Sequence, residues 1–366
     1  MAINIMNNKD MTRRRERERV CVSGVNTIEK GCKMKTIAIL ALQETPKIGY
    51  RTIEKVLSMP DLFEPSRPSD LIEILKKAKE RFGRISVPDI RAVTVGWNKA
   101  QEIWKRSQEH NIHIISIKDS KYPKCLSQIP NPPLLLHVRG NTNALNKDCI
   151  AIVGTREPTE YGIKAAEKLG ALFAERGYVV VSGLAEGIDA AAHRGALHAN
   201  GITVAVLAHG LDTIYPSKNK ELANAILENN GALVSEYSWG TKANRGYFVA
   251  RDRIQSGLSL GVFVVETGIK GGTMHTVKFC KEQKRILIVL RHPMSEHPKT
   301  SGNAQLISEK QADIVFENDD DIELVISEMK RVKRELLNQD KKKNHSKKSV
   351  QMMLDLGEKN NESANF

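Results

Sequence analysis

No stretch of this 366-residue chain is apolar for long enough to span a bilayer, and its polar, arginine-rich start lacks the apolar core of a secretory signal. No membrane is expected, and a cytoplasmic location is. The five cysteines (Cys21, Cys32, Cys125, Cys149, Cys280) are scattered without a C-x-x-C pair. That argues against both a disulfide framework and a zinc site. Also missing are a G-x-G-x-x-G with a downstream acid, a G-x-x-x-x-G-K-[ST] loop, any metal-ligand spacing and a recognisable Ser/His/Asp order. A dinucleotide or P-loop site is thereby set aside. Neither a cofactor, nor a metal, nor a catalytic residue is expected.

What the chain does carry is positive charge, a formal +13. Residues 1–33 and 331–366 each hold +4, which leaves +5 for 34–330. Basicity in the tails points to a specific site less strongly than a basic cleft would. It still favours nucleic acid over an acidic protein as the partner.

Residues 1–33 have no apolar periodicity and read as a disordered extension, with Met34 as an alternative start of translation. Over 34–110 apolar residues recur three and four apart, as in Ile53, Val56, Leu57 and Leu71, Ile74, Leu75, which predicts a small helical domain. The turn Pro46-Lys47-Ile48-Gly49-Tyr50 resembles half of a helix-hairpin-helix (a SAM-like arrangement), with Gly49 suited to a left-handed position. The second glycine is missing, so a packing turn is the better reading. Apart from a short strand over Ile112 to Ile117, residues 111–145 read as an extended proline-rich connector.

Alternating βα units follow across 146–318. Predicted strands at Ile150–Val153, Val179–Val181, Thr203–Leu207, Leu233–Val234, Val262–Val265 and Ile286–Val289 are separated by helical stretches. Six such strands predict an α/β, doubly wound and mostly parallel sheet with right-handed crossovers. A final helix over 319–338 and a disordered basic tail over 339–366 complete the expected organisation.

In such a sheet ligands bind beyond the carboxyl ends of the strands. The residues there are Gly154, Thr155 and Arg156; Ser182 and Gly183; Gly210 and Asp212; Lys242, Arg245, Phe248, Arg251 and Arg253; and Gly271, Gly272 and Thr273. Glycine beside Ser or Thr suits phosphate held by amides and hydroxyls. Arginine suits bidentate phosphate contacts, and Phe248 among basic residues suits a stacked base. Asp189 and His193, on the alanine-rich helix after Gly183, read as scaffolding, and Glu266 is the best lone acid or base.

Several of these segments resemble the DprA/Smf family of DNA-processing proteins. They are Gly154-Thr155-Arg156, Ser182-Gly-Leu-Ala-x-Gly-Ile-Asp-x-x-Ala-His193, Gly210-Leu-Asp-x-x-Tyr-Pro-x-x-Asn219, Ser235-Glu-Tyr-x-x-Gly-Thr241, and Phe248-x-x-Arg251-x-Arg253-Ile-x-x-Gly-Leu-Ser259. The proline-rich Tyr122 to Pro133 belongs with them. The resemblance implies a Rossmann-like domain that binds single-stranded DNA without cutting it, loads a RecA-type recombinase during DNA uptake and recombination, and acts as a homodimer. It also implies a basic pocket containing Arg156, Lys218, Arg245 and Phe248. The chain departs from the family pattern with Asp252 where Asn is usual, with Gly271-Gly272-Thr273 in place of Ser-Gly-Ser, and with His275 in the turn after it. A second reading stays open: a small-nucleotide sensor, or a nucleotide-derivative hydrolase using Glu266 beside the Gly271-Gly272-Thr273 loop.

Overall fold

The β-branched runs that open each βα pair become strands buried along their whole length. A computed structural model of the protein describes residues 30–60, 62–293 and 297–339. Most of the extension over 1–33 and nearly all of the tail over 339–366 lie outside the described residues. The chain divides into two compact units, Met1–Ala100 and Gln101–Phe366.

In the first unit, helices α1 (Lys30–Glu44), α2 (Tyr50–Leu57) and α3 (Pro68–Phe82) are followed by the start of α4 (Ile90–Glu109). Their apolar faces are buried through Ile39, Leu40, Ile53, Val56, Leu71 and Leu75. The left-handed residue of the α1–α2 turn is Lys47 (φ 67°), whereas Gly49 caps α2 in an extended conformation (φ −101°). The glycine expected to supply the left-handed turn therefore does not. A helix start asks for extended backbone at the cap, and Gly49 meets that demand instead.

The second unit is built on one nine-stranded sheet. In chain order the elements are β1 (Ile112–Ser116), β2 (Leu135–Gly140), β3 (Cys149–Gly154), α5 (Glu160–Glu175), β4 (Val179–Ser182), α6 (Ile188–His198), β5 (Thr203–Val206) and α7 (Lys220–Glu228). Then come β6 (Ala232–Ser235), α8 (Arg245–Leu258), β7 (Gly261–Glu266), α9 (Thr273–Glu282), β8 (Ile286–Leu290), α10 (Ser301–Ser308), β9 (Ile314–Phe316) and a helix α11 over 322–339. The spatial order is β1-β2-β6-β5-β4-β3-β7-β8-β9, parallel from β6 to β9.

The stretch expected as an extended connector contributes two strands. β1 and β2 pair antiparallel over Ile112↔Arg139 to Ser116↔Leu135, and β2 pairs antiparallel with β6. Pro130, Pro132 and Pro133 end just before Leu135, so they precede the strand and remove no ladder donor from it.

The sheet is covered on both faces. Ile150, Ile152, Val180 and Phe263 pack against α5, α6 and α11 through Phe173, Ala192 and Met329. Ala151, Val153, Val262 and Val264 turn to the other face and meet α9 and α10 through Val277, Cys280 and Leu306. On that same face Ile254 and Leu258 of α8 cover Val181, Val204 and Val206. Each fully buried Val, Ile or Leu contributes roughly 1.5–3 kcal/mol relative to exposure, so covering both faces stabilises the central strands most.

The winding sets where a ligand can sit. From β3 the chain steps through β4 and β5 to β6, then returns by α8 to β7 on the far side of β3. The loop after β3 leads to α5 on one face, and the loop after β7 leads to α9 on the other. Adjacent parallel strands whose loops part in opposite directions leave a crevice at their carboxyl ends.

Candidate nucleic-acid interface

A cavity of about 850 Å³ occupies that crevice. Thr155 N donates to Glu266 O (2.7 Å), and the β3–β7 register slips by one residue at Val153/Gly154. The slip carries Thr155 and Arg156 off the sheet and into the cavity wall. Gly187 (φ 79°) lies behind that wall, where a Cβ would come within 2.5 Å of Thr155 O and 2.7 Å of Arg156 O. The turn before α6 thus braces the Arg156 loop directly.

Arg156 lies over the Phe248 ring, 5.0 Å from its centroid, and Phe248 in turn lies 5.9 Å from Tyr215. Arg245 opens α8 behind the Asn244 cap, whose side chain accepts from Tyr247 N (3.1 Å). Gly271, Gly272 and Thr273 close the opposite wall at the start of α9, so the positive end of that helix faces the cavity. Lys270 and Lys299, which the sequence reading did not pick, also line it. The walls carry five cationic side chains (Arg156, Arg245, Arg251, Lys270, Lys299) against three carboxylates (Glu157, Asp189, Asp252).

Not every residue expected at the site reaches it. Ser182 is buried, and its hydroxyl donates to Ile152 O (2.7 Å) across the sheet. Gly183 N donates to Asp189 Oδ2 (3.1 Å), so a carboxylate of the fold itself takes the amide that an anion was expected to meet. A Cβ at Gly183 would overlap the Arg251 guanidinium and stand 2.6 Å from Asp189 Oδ2. Arg251 is 5% exposed and donates to Gly183 O (2.7 Å), Val206 O (2.6 Å) and Asp252 Oδ1 (3.1 Å). Through Nη1 it ties α8 to the ends of β4 and β5, and its Nε is held by Asp252. Arg253 points elsewhere, paired with both Glu236 oxygens (2.7 and 2.6 Å) and donating to Asn131 O (3.2 Å). Lys218 sits outside the main cavity, exposed and 3.6 Å from Glu186, which lines a smaller adjoining pocket with Arg156, Gly183 and Tyr215.

The scaffold residues titrate as burial dictates. His193 is fully buried with Nδ1 2.6 Å from Thr203 Oγ1, and burial pushes its pKa down to about 3. Burial raises the Asp189 carboxyl above its ordinary range, with Arg251 pulling the other way. The Asp252 carboxyl is pushed up to about 6, chiefly by burial and further by Asp189, against the pull of Arg251. Glu266 turns away from the cavity. Its carboxylate accepts from Thr159 N (3.0 Å) and Thr159 Oγ1 (3.3 Å) at the start of α5. The acid that a hydrolase would need at the Gly271-Gly272-Thr273 loop is therefore committed to a helix terminus. Among the described residues no three His, Cys, Asp or Glu are grouped to hold a metal ion, and no helix is long and apolar enough to cross a membrane.

Residues 113–326, which contain the sheet and the cavity, match the family described as DNA recombination-mediator protein A. The chain belongs to that family. Protein Smf of Synechocystis is 35% identical over 253 residues, covering 67% of this chain and 62% of the relative. Protein Smf of Escherichia coli is 39% identical over 206 residues, 55% of this chain and 54% of the relative. The match thus spans somewhat under two thirds of the length of these relatives. Among solved structures, DNA processing protein A of Streptococcus pneumoniae superposes with TM-score 0.65 at 29% identity, over 78% of this chain and 96% of that one. DNA processing protein A of Helicobacter pylori, whose single-stranded DNA binding mode has been described, superposes with TM-score 0.53 at 28% identity, over 60% of this chain and 98% of that one. A Rossmann-like, mostly parallel sheet is common to this family member and both structures.

Proposed function

We propose that this DprA/Smf family member binds single-stranded DNA in the β3–β7 crevice without cleaving it. The observation that carries the reading is the Arg156–Phe248 pair in the cavity wall. A guanidinium and an aromatic face are presented together there, with Arg245, Lys270 and Lys299 around them. Unpaired strands expose both a phosphate and a base face at each nucleotide, whereas a duplex hides its base faces. The binding residues in this reading are Thr155, Arg156, Arg245, Phe248, Lys270, Gly271, Gly272, Thr273 and Lys299, with Lys218 extending the track past Tyr215. Asp189, Arg251 and Glu266 hold the fold around the site. Cleavage plays no part in this reading, which is supported by Glu266 being held at Thr159 and away from the Gly271-Gly272-Thr273 loop.

The same reading has the protein act in the cytoplasm as a homodimer that hands its strand to a RecA-type recombinase. The test is a fluorescence-anisotropy titration with labelled oligo-dT and the matching duplex across a salt series. Tighter, salt-sensitive binding of the single strand that weakens in Arg156→Ala is the expected result. Equal affinity for both forms would refute the reading. Light scattering of the free protein tests the dimer, and RecA filament growth on strands precoated with single-strand-binding protein tests the hand-over.

A further inference from the structure

One face of α8 feeds the cavity with a graded series of groups. Arg245, Phe248, Asp252 and Gln255 are spaced three, four and three residues apart, and all four line the cavity. Positions at that spacing stack on one side of a helix, and with a rise of about 1.5 Å per residue the carboxylate sits about 6 Å further along than the ring. The order is cation, aromatic ring, carboxylate, amide. A nucleotide with its phosphate at Arg245 and its base against Phe248 turns an edge towards Asp252.

The state of that carboxylate decides what it accepts. Oδ1 takes the Arg251 Nε–H (3.1 Å). With the Gln255 amide turned so that its oxygen accepts from Gly183 N (2.8 Å), the amide nitrogen also donates to Oδ1 (3.1 Å). Oδ2 has no hydrogen bond to any described residue, while the side chain as a whole is only 13% exposed. A mostly buried carboxylate with one oxygen left over needs a donor from the ligand. A phosphate is repelled there, and a base edge made mainly of carbonyl oxygens meets it acceptor to acceptor.

We infer that Asp252 sets the base preference of the site, selecting bases with an exocyclic amino group and so favouring cytosine over thymine. The inference rests on the single-stranded DNA reading above. Cytosine offers its N4 amino hydrogens to a carboxylate, a pairing that Asp and Glu also make with cytosine in duplex DNA. Thymine offers one N–H between two carbonyls. The groups that face Asp252 are Arg251 and Gln255 on its own helix, Asp189 on α6 and His275 on α9. Arg251 and Asp189 are fixed by hydrogen bonds to the turn after β4, which leaves Oδ2 as the acceptor open to a base.

The experiment compares fluorescent dC and dT oligomers of equal length by anisotropy at pH 7.5, with the full-length protein and with Asp252→Asn. The wild type is expected to hold dC about tenfold more tightly than dT. In D252N the two affinities converge, because an amide offers both a donor and an acceptor to either base. Lowering the pH to 5.5 brings the wild-type affinities together in the same way, as the carboxyl takes up a proton. Thermal melting of D252N confirms that it is folded. Equal wild-type affinities, or a dC preference that survives in D252N, overturns the inference while leaving single-strand binding intact. Failure to bind either oligomer overturns the function proposed above, and the inference with it.

Discussion

The Arg156 guanidinium lies 5.0 Å from the centre of the Phe248 ring, although the two residues are 92 positions apart in the chain. One comes from the loop after β3 and the other from the first turn of α8, so the pair joins two separate elements in the wall of the cavity. Removing either half should affect binding differently. Phe248→Ala is expected to weaken oligo-dT binding by on the order of ten- to a hundredfold with the salt dependence unchanged, since a stack carries no charge. Arg156→Ala should lower affinity and also flatten the slope of log K against log salt by roughly 0.7. Because the two groups touch, the double variant should lose less than the sum of the singles.

Arg251 and Arg253, which look alike in sequence, should behave alike in one assay for unlike reasons. Arg251→Ala removes a buried cation from two carbonyls and Asp252, and a loss of about 3–5 kcal/mol in unfolding free energy is expected. Arg253→Ala leaves the mostly buried Glu236 carboxylate without its partner and should cost about 1–3 kcal/mol. Once folded, the Arg253 variant should bind DNA as the wild type does. A large loss of affinity without a loss of stability would put Arg253 back at the site. Urea denaturation read alongside anisotropy separates the two.

Asp252 makes stability depend on pH in an unusual direction for a carboxylate. Its pKa lies at about 6 in the folded protein against 3.8 ordinarily. The folded state therefore holds this proton more tightly than the unfolded chain does. That contribution is complete below about pH 4, declines between about pH 4 and 6, and is gone above it. Asp252→Asn should abolish this segment of the pH profile and stabilise the protein at pH 8, by about 1–3 kcal/mol. Denaturation midpoints at pH 4, 6 and 8 for both proteins would check it, and a D252N curve parallel to the wild type would contradict it.

Glu266 provides a control for chemistry. With its carboxylate held by Thr159 N and Oγ1, Glu266→Gln is expected to cost about 1 kcal/mol of stability through the weaker interaction with the start of α5. DNA affinity should stay within about twofold of the wild type. Release of ribose phosphate from nucleoside monophosphates by the wild type, abolished in this variant, would support a hydrolase instead.

The strands were legible because uninterrupted β-branched runs such as Val179-Val180-Val181 end at small residues, a pattern that only a strand buried on both faces requires. β2 was hidden because prolines crowd its entrance, and local composition does not say that the ladder begins two residues past the last of them. The site was legible as a set of loops but not as a set of side chains. Successive residues on a helix point about 100° apart, so Arg251, Asp252 and Arg253 diverge to the sheet, the cavity and Glu236. Residue type suggested that the two arginines were the ligands, while the residue between them is the one with a side-chain oxygen that no described residue takes. Lys270 and Lys299 line one cavity because the connection from β8 to α10 returns to the edge where β7 ends, which no local pattern records.

The parting of the β3 and β7 loops belongs to the path of the chain, not to any side chain along it. A hollow made in that way survives replacement of whatever lines it. The lining is then free to drift, exchanging an amide for an acid or a serine for a glycine, while the hollow stays in place. Relatives built on this path could come to prefer different strands without first inventing a new place to hold them.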